Sequence, residues 1–177
     1  MVKPKDFHRV LSEILQLKLS EFIKKYGVLL PKLTILHEDE SVSKIFELVG
    51  KGYDYIVVTD DKNRLVGVIT YLDILGLLSK RSIIRETAFG GTVHVTMVRR
   101  GRVPVNTLAK LRVHRISKRM PPHITSDHTV EEAYNLMEET GSNFLIVVDN
   151  QDKPIGVITL HSIFRAVMYS LKQKQSN

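Results

Sequence analysis

The 177-residue sequence contains no cysteine, and none of its hydrophobic runs approaches the ~18 residues that a membrane span requires. Without cysteine, a disulfide framework, a thiolate metal site and a thiol nucleophile are all excluded. The N-terminus also lacks the pattern of a secretory signal peptide. We therefore expect a cytoplasmic protein with no membrane partner.

The motifs of the common enzyme classes are missing as well. The sequence has no P-loop, no G-x-S-x-G nucleophile motif and no H-E-x-x-H zinc motif. Its seven histidines show no convincing spacing for metal ligands. We therefore expect a protein that is not an enzyme, with no catalytic residue, no metal site and no required cofactor.

Basic residues are present in excess, and they are concentrated in one part of the chain. The sequence holds 26 Lys and Arg against 19 Asp and Glu, and its hydrophobic content of 43% is typical of a soluble globular protein. Within residues 79–120, eleven basic residues stand against a single acidic one, Glu86. The net charge of +7 therefore comes mostly from this segment.

The tetrapeptide GVIT occurs twice, at residues 67–70 and 156–159, and each copy ends a longer internal repeat. Residues 39–70 align with residues 127–159 with a single inserted residue. The matching pairs include Asp39 with Asp127, Val42 with Val130, Gly52 with Gly141, and Asp60 with Asp149. The chain therefore contains a duplicated structural unit.

Each copy predicts the same order of elements, β-α-β-β-α. Apolar residues recur at helical spacing after Ser41 and after Thr129, which stand where helix N-caps belong. The continuous apolar runs YIVVT and FLIVV that follow suit strands buried on both faces. GVIT then ends a further strand, and helices are predicted at residues 71–78 and 160–171.

This unit ends with glycine, two apolar residues, threonine, two variable residues and aspartate, and it resembles the CBS domain. Two such units in tandem resemble a Bateman module, and the resemblance covers residues 31–78 and 119–172. It implies an α/β (α+β) fold with two β-α-β-β-α repeats in a pseudo-two-fold arrangement. The middle strands differ from the family pattern because they carry Val57 and Ile146 where proline is frequent.

We accordingly divide the chain into four parts. Residues 1–29 hold an N-terminal helix, predicted over residues 6–27, which packs on the repeats, lies across a dimer or docks on another protein. Residues 30–80 hold the first repeat and residues 113–177 the second. Residues 81–112 form a basic connector.

Thr70 and Asp73 place two polar side chains one helical turn apart at the start of a helix. The pattern T-x-x-D is close to a capping box, which needs no ligand. Equally, the free N–H groups of a first turn attract anions, and a carboxylate offers two acceptors to a vicinal diol such as that of ribose. The CBS resemblance places both residues on ribose- and phosphate-binding positions, and it favours the ligand.

We call the junction between each GVIT strand and the helix that follows it the first and the second GVIT corner. The second corner keeps Thr159 but has Ser162 in place of the aspartate, so we expect it to be degenerate, empty or adapted to another ligand. The resemblance also implies a base-binding slot in each copy. The slot residues of site 1 are Ile35, Tyr53, Tyr55 and Ile56, and those of site 2 are His123, Ser142, Phe144 and Leu145. Core packing is the alternative role for the two aromatic residues, and a plain strand position is the alternative for the histidine.

The basic connector carries two further predictions. Residues 90–106 alternate like two strands about an Arg-Gly turn, which predicts a hairpin with arginines at positions 99, 100 and 102 at its tip. Residues 111–122 resemble the short helix that precedes a CBS repeat. They would bring three candidate phosphate-binding residues to the cleft: Arg115, Lys118 and Arg119.

The charge of the connector has three open interpretations: a solvated surface, a phosphate-binding group and a nucleic-acid-binding surface. The sequence has no helix-turn-helix, zinc finger or RNP motif, and it has no interleaved aromatic residues that would stack on bases. The last interpretation therefore rests on charge alone.

Together these features predict a regulatory module that binds AMP, ATP, S-adenosylmethionine or another adenosyl compound and reports its level to a protein partner. The apolar faces of helices 71–78 and 160–171 would stay partly exposed in a monomer, which predicts a homodimer. The alternative is a nucleic-acid-binding protein that uses residues 79–120, with the repeats as scaffold or sensor.

Overall fold

The computed structural model describes the backbone of residues 4–78, 83–86, 95–98 and 109–176. The chain forms two compact units. One unit runs from Lys32 to Pro121, and the other combines the N-terminal segment up to Pro31 with the segment from Pro122 onward. The stretch that precedes the first repeat therefore belongs to the unit of the second repeat.

The first repeat has a four-stranded sheet with two helices. The elements are β1 (Leu33–His37), α3 (Ser43–Gly50), β2 (Tyr55–Thr59), β3 (Leu65–Thr70), α4 (Tyr71–Leu78) and β6 (Lys118–Arg119). The strand order is β1-β2-β3-β6, with β1 parallel to β2 and the other pairs antiparallel. One sheet face packs on the helices through a buried cluster of Leu36, Val42, Ile45, Ile56, Val58, Ile69, Ile74 and Val113.

The second repeat has the same core of three strands and two helices. Its elements are β7 (His123–Thr125), α5 (Val130–Thr140), β8 (Phe144–Val148), β9 (Pro154–Thr159) and α6 (Leu160–Ser176). The strand order is β7-β8-β9, again with one parallel and one antiparallel pair. The duplicated β-α-β-β-α unit and the mixed α/β fold expected from the sequence are thus confirmed.

The two N-caps expected from the sequence differ in the structure. Thr129 forms a full capping box, since its side chain accepts a hydrogen bond from the N–H of Glu132 and the Glu132 carboxylate accepts one from the N–H of Thr129. Ser41 is not the N-cap of α3, because the helix begins one residue later than expected and Val42 occupies the cap position. Its hydroxyl still accepts a hydrogen bond from the N–H of Ser43 at 3.2 Å.

The N-terminal segment forms two helices, α1 (Pro4–Leu15) and α2 (Leu19–Tyr26), and the single helix predicted over residues 6–27 is wrong. Lys18 between them has an extended backbone and forms an isolated β-bridge with Thr129. The helical pattern of the sequence is interrupted because these backbone groups bond to the second repeat instead of to the preceding turn. Both helices pack on this repeat, which is the first of the arrangements expected for this segment.

The segment that precedes each repeat docks on the other repeat, and the two segments dock in equivalent ways. Each forms three backbone hydrogen bonds to the loop between the first strand and first helix of a repeat. On the first repeat the bonds are Val42 N to Leu111 O (2.9 Å), Val113 N to Glu40 O (2.8 Å) and His114 N to Glu38 O (2.9 Å). On the second they are Val130 N to Leu17 O (2.9 Å), Leu19 N to His128 O (2.8 Å) and Ser20 N to Ser126 O (2.9 Å).

The glycine of GVIT lies in close contact with the chain that leads into the other repeat. A Cβ added at Gly67 would lie 2.9 Å from Ser117 Oγ and 3.2 Å from the backbone oxygen of Lys118. A Cβ added at Gly156 would lie 3.0 Å from Cδ1 of Ile23. The repeated glycine therefore allows the close approach of each segment.

The described part of the connector contains one strand pair, β4 (Ile83–Glu86) with β5 (Val95–Val98), in antiparallel register. The first strand of the hairpin predicted over residues 90–106 is present as β5. Its observed partner is β4, which precedes it in the sequence. The predicted Arg-Gly tip lies outside the described residues. The short helix expected before the second repeat is a 3-10 turn, Val113–Arg115, and β6 follows it.

Candidate functional site

The first GVIT corner holds a carboxylate that is only partly engaged. Strand β3 ends at Thr70 and helix α4 begins at the next residue. Oδ2 of Asp73 accepts hydrogen bonds from Thr70 N at 2.8 Å and from Thr70 Oγ1 at 2.7 Å. Among the described residues, none donates a hydrogen bond to the second carboxylate oxygen, Oδ1. Capping and ligand binding are therefore compatible, because Oδ2 caps the helix start and Oδ1 is left to accept hydrogen bonds from a ligand.

The second GVIT corner is closed. Ser162 is 2% exposed, and its hydroxyl accepts a hydrogen bond from Thr159 N at 2.9 Å while it donates to Thr159 O at 2.8 Å. The backbone N–H of Ser162 in turn donates to Thr159 Oγ1 at 3.0 Å. Because the serine hydroxyl is buried and bonded within its own turn, this corner presents no free acceptor comparable to Oδ1 of Asp73.

The register of the first sheet brings three of the expected site residues to one face. Tyr55 stands directly opposite Thr70 on antiparallel strands, and paired residues point to the same side of a sheet. Ile35 pairs with Val57 and so lies on this face as well, where it is 46% exposed. Thr70, Tyr55 and Ile35 thus lie on the same face of the sheet, on β3, β2 and β1 respectively.

Tyr55 is half-buried, and this burial is the main reason that the pKa of its hydroxyl is raised above its usual value. Tyr71 and Asp54 are close enough to contribute to the same shift. Sequence reasoning did not single out Tyr71, although it follows Thr70 directly. Two tyrosine rings therefore lie at the first corner, and Tyr71 is largely exposed.

Ile56 and Leu145 point away from the corners. Successive strand residues alternate between faces, and Ile56 pairs with Ile69 in the helix-facing core of the first repeat. Leu145 pairs with Ile158 in the corresponding core of the second repeat. The structure does not bring these two side chains together with the other site residues.

The remaining residues expected in the two base-binding slots differ in their burial and in their hydrogen bonds. Tyr53 is partly buried in the loop before β2. Phe144 stands opposite Thr159 and is buried, while His123 is exposed on β7. Ser142 is engaged locally, because its hydroxyl donates to the backbone oxygen of Phe144 at 2.7 Å.

Of the three candidate phosphate-binding residues, Lys118 is best placed. It stands opposite Val68, two residues before Thr70, and therefore lies on the same face as the corner. Its side chain is exposed and forms no hydrogen bond or ion pair with the described residues. Arg115 is exposed in the 3-10 turn, and the side chain of Arg119 lies outside the described part of the chain.

Metal-binding clusters and membrane-spanning helices are both absent from the described residues. These residues contain no group of three or more His, Asp or Glu side chains that is placed to hold a metal ion. None of the helices within residues 4–78 and 109–176 is long and apolar enough to cross a membrane.

Comparison with curated proteins finds relatives that are much longer than this chain. Arabinose 5-phosphate isomerase KdsD of Pseudomonas aeruginosa is 24% identical over 122 residues, which are 69% of this chain and 30% of the isomerase. The chain spans about 30% of the length of the curated relatives that it matches.

Comparison with solved structures identifies the fold. The crystal structure of CBSX2 in complex with AMP has a TM-score of 0.56 and 24% identity, and the match covers 86% of this chain and 97% of CBSX2. The cytosolic domain of the Mg2+ channel MgtE in complex with ATP has a TM-score of 0.51 and 19% identity, over 76% of this chain and 45% of that one.

A family model for the CBS domain matches residues 25–80 and 113–169, which together are more than half of the chain. These ranges contain both GVIT corners and both observed β-α-β-β-α units except for the end of α6. The chain therefore belongs to the CBS-domain family, of which it contains a tandem pair.

Proposed function

We propose that this CBS pair is a regulatory module that binds an adenine nucleotide or another adenosyl ligand at the corner formed by Thr70 and Asp73. The observation that carries the proposal is Oδ1 of Asp73, which accepts no hydrogen bond from the described residues and lies beside a capped helix start, on the side of the sheet that Tyr55 shares. A carboxylate with a free oxygen is suited to accept hydrogen bonds from the hydroxyls of a ribose.

The parts of the ligand would find different partners at this corner. The ribose would lie on Asp73, and the base would lie against the apolar and aromatic surface of Ile35 and Tyr55. A phosphate would meet the first-turn N–H groups of α4 and the exposed ammonium of Lys118. The thermal-shift screen below distinguishes between the candidate adenosyl compounds.

The solved relatives support this choice of ligand class. CBSX2 was solved in complex with AMP and the cytosolic domain of MgtE in complex with ATP. Since the second corner of this chain is closed at Ser162, we infer one such ligand per chain.

The module would act on a protein partner, without catalysis of its own. The exposed apolar residues on its helices are suited to assembly, and the strongest examples are Leu72 and Leu75 on α4 and Phe164 on α6. We propose that these residues form a homodimer contact. The cytoplasmic location remains an expectation from the sequence.

Nucleic-acid binding by the connector remains the alternative. The arginines at positions 99, 100 and 102 lie outside the described residues, and within the described part Arg112 donates a hydrogen bond to the backbone oxygen of Asp39 at 2.7 Å. The nucleic-acid interpretation therefore still rests on charge alone, and we favour the nucleotide.

A thermal-shift screen tests the proposal. We expect AMP, ATP or S-adenosylmethionine to raise the melting temperature, while a ribose-free control such as adenine raises it much less. If none of the adenosyl compounds shifts the melting temperature at millimolar concentration, while RNA or DNA binds with a steep dependence on salt, the nucleotide proposal is wrong and the alternative is favoured.

A further inference from the structure

A groove of about 380 Å³ lies in the second repeat, between the edge strand β7 and the first half of helix α5. It is lined by His123, Ile124, Thr125, His128, Glu132 and Leu136. Neither Thr159 nor Ser162 is among the lining residues, so the groove is distinct from the second GVIT corner.

The hydrogen bonds of Thr125 determine which atoms of His128 remain available. The hydroxyl of Thr125 donates to Oδ1 of Asp127 at 2.6 Å, so it accepts from Nδ1 of His128 at 2.7 Å. The neutral imidazole then carries its proton on Nδ1, and its Nε2 is a hydrogen-bond acceptor.

Glu132 provides a second acceptor. Its Oε2 accepts hydrogen bonds from Thr129 N at 2.7 Å and Thr129 Oγ1 at 3.1 Å. Nothing in the described part of the chain donates to Oε1. The bonds from Thr129 hold the pKa of Glu132 below its usual value, so the carboxylate is charged at neutral pH.

The chemistry of the groove excludes two classes of ligand. An anion would meet the Glu132 carboxylate at a helix start whose N–H groups the capping box already engages. A metal ion lacks ligands, since the described residues hold no suitable group of three. The hydrogen bond from Thr125, with a small contribution from Lys18, holds the pKa of the nearby Asp127 carboxyl below its usual value, so a second carboxylate is charged beside the groove.

We propose that this groove binds an alkylammonium group. The ammonium would donate to Oε1 of Glu132 and Nε2 of His128, and the alkyl stem would lie on Ile124 and Leu136. A free organic amine and the lysine side chain of a partner protein both have this chemistry. The proposal does not depend on a ligand at Asp73.

The test is an NMR titration of the intact protein with n-butylammonium chloride, at constant ionic strength set with potassium chloride. We expect saturable shifts of the signals of Thr125, His128 and Leu136. Glu132→Gln keeps the capping box, because a glutamine oxygen also accepts from Thr129 N. It should weaken binding by at least about fivefold, which corresponds to ~1 kcal/mol.

The matched control is Glu139→Gln, which removes the same charge from the same helix outside the groove and should leave the affinity unchanged. Shifts that do not saturate, or equal weakening by both variants, would overturn the proposal because either result indicates only unspecific attraction.

A second titration separates the two sources of the ammonium group. A short lysine peptide and the same peptide with norleucine in place of lysine are compared with n-butylammonium. If the lysine peptide binds much more tightly than the amine, the ligand is a partner protein, and similar affinities point to a free amine. The proposal fails if the norleucine peptide binds as well as the lysine peptide.

Discussion

Replacement of Asp73 by asparagine separates its ligand role from its capping role. In Asp73→Asn the side-chain oxygen can still accept from Thr70 N, so the helix start is retained. The other position becomes an NH2 group, which donates where a ribose diol needs an acceptor. A charge-assisted hydrogen bond contributes roughly 1.5–3 kcal/mol, and we therefore expect the affinity to fall at least about tenfold.

The expected effect is readily measured as a ligand-induced thermal shift. A ligand at about one hundred times its dissociation constant stabilises the folded state by about 2.7 kcal/mol, which is a rise of roughly 5–10 °C for a chain of this size. After a tenfold loss of affinity, the same concentration stabilises by about 1.4 kcal/mol, so the shift is halved. The shift is compared within each variant, so that any change in the ligand-free protein cancels.

Ser162→Ala is the matched control, because it changes the equivalent position of the closed corner. Its ligand-free melting temperature should fall, since the hydroxyl bonds to Thr159 are lost, but the ligand-induced shift should stay complete. The reasoning is refuted if Asp73→Asn keeps the full shift, and the site lies at the other corner if Ser162→Ala loses it.

Three further predictions concern packing, assembly and charge. Gly67→Ala should destabilise the protein by about 1–3 kcal/mol in thermal unfolding because the new Cβ meets backbone. Gly156→Ala meets the flexible end of an isoleucine and should cost less, and equal costs would contradict the difference in close approach. Light scattering at micromolar concentration should show a dimer that Leu75→Asp and Phe164→Asp dissociate, and a monomeric wild type would disprove the contact. Replacement of the three arginines within residues 99–102 by glutamate should leave nucleotide affinity unchanged, and its collapse would show that the connector binds the phosphates.

The repeat could be read from the sequence because several independent signals agree on it. GVIT, the apolar runs and the cap at Thr129 each predict a different element of the same β-α-β-β-α unit, and the structure has these elements at those positions. The break between α1 and α2 could not be predicted, because Leu17 and Leu19 keep an apolar pattern while their backbone groups bond to a loop more than one hundred residues away. Local periodicity carries no information on such a partner.

The candidate site was only partly predictable for a related reason. Tyr55, Ile56 and Val57 all belong to an apolar run, so the sequence does not show which of them faces the corner, and only the register with Thr70 decides it. The closure at Ser162 depends on burial and on three short hydrogen bonds, which the sequence does not reveal. The equivalent docking of the two segments has one weak counterpart in the sequence, which is the similarity of Leu17-Lys18-Leu19 to Leu111-Arg112-Val113.

The most direct measurement of the central claim is an amide NMR map of the intact protein titrated with AMP, and with ATP in a parallel experiment. If the first corner is the ligand site, the signals of Tyr55, Thr70 and Asp73 shift saturably at one ligand per chain, while those of Thr159 and Ser162 stay in place. Saturable shifts centred on Thr159 and Ser162, or no saturable shift at either corner with any adenosyl compound, would contradict the account.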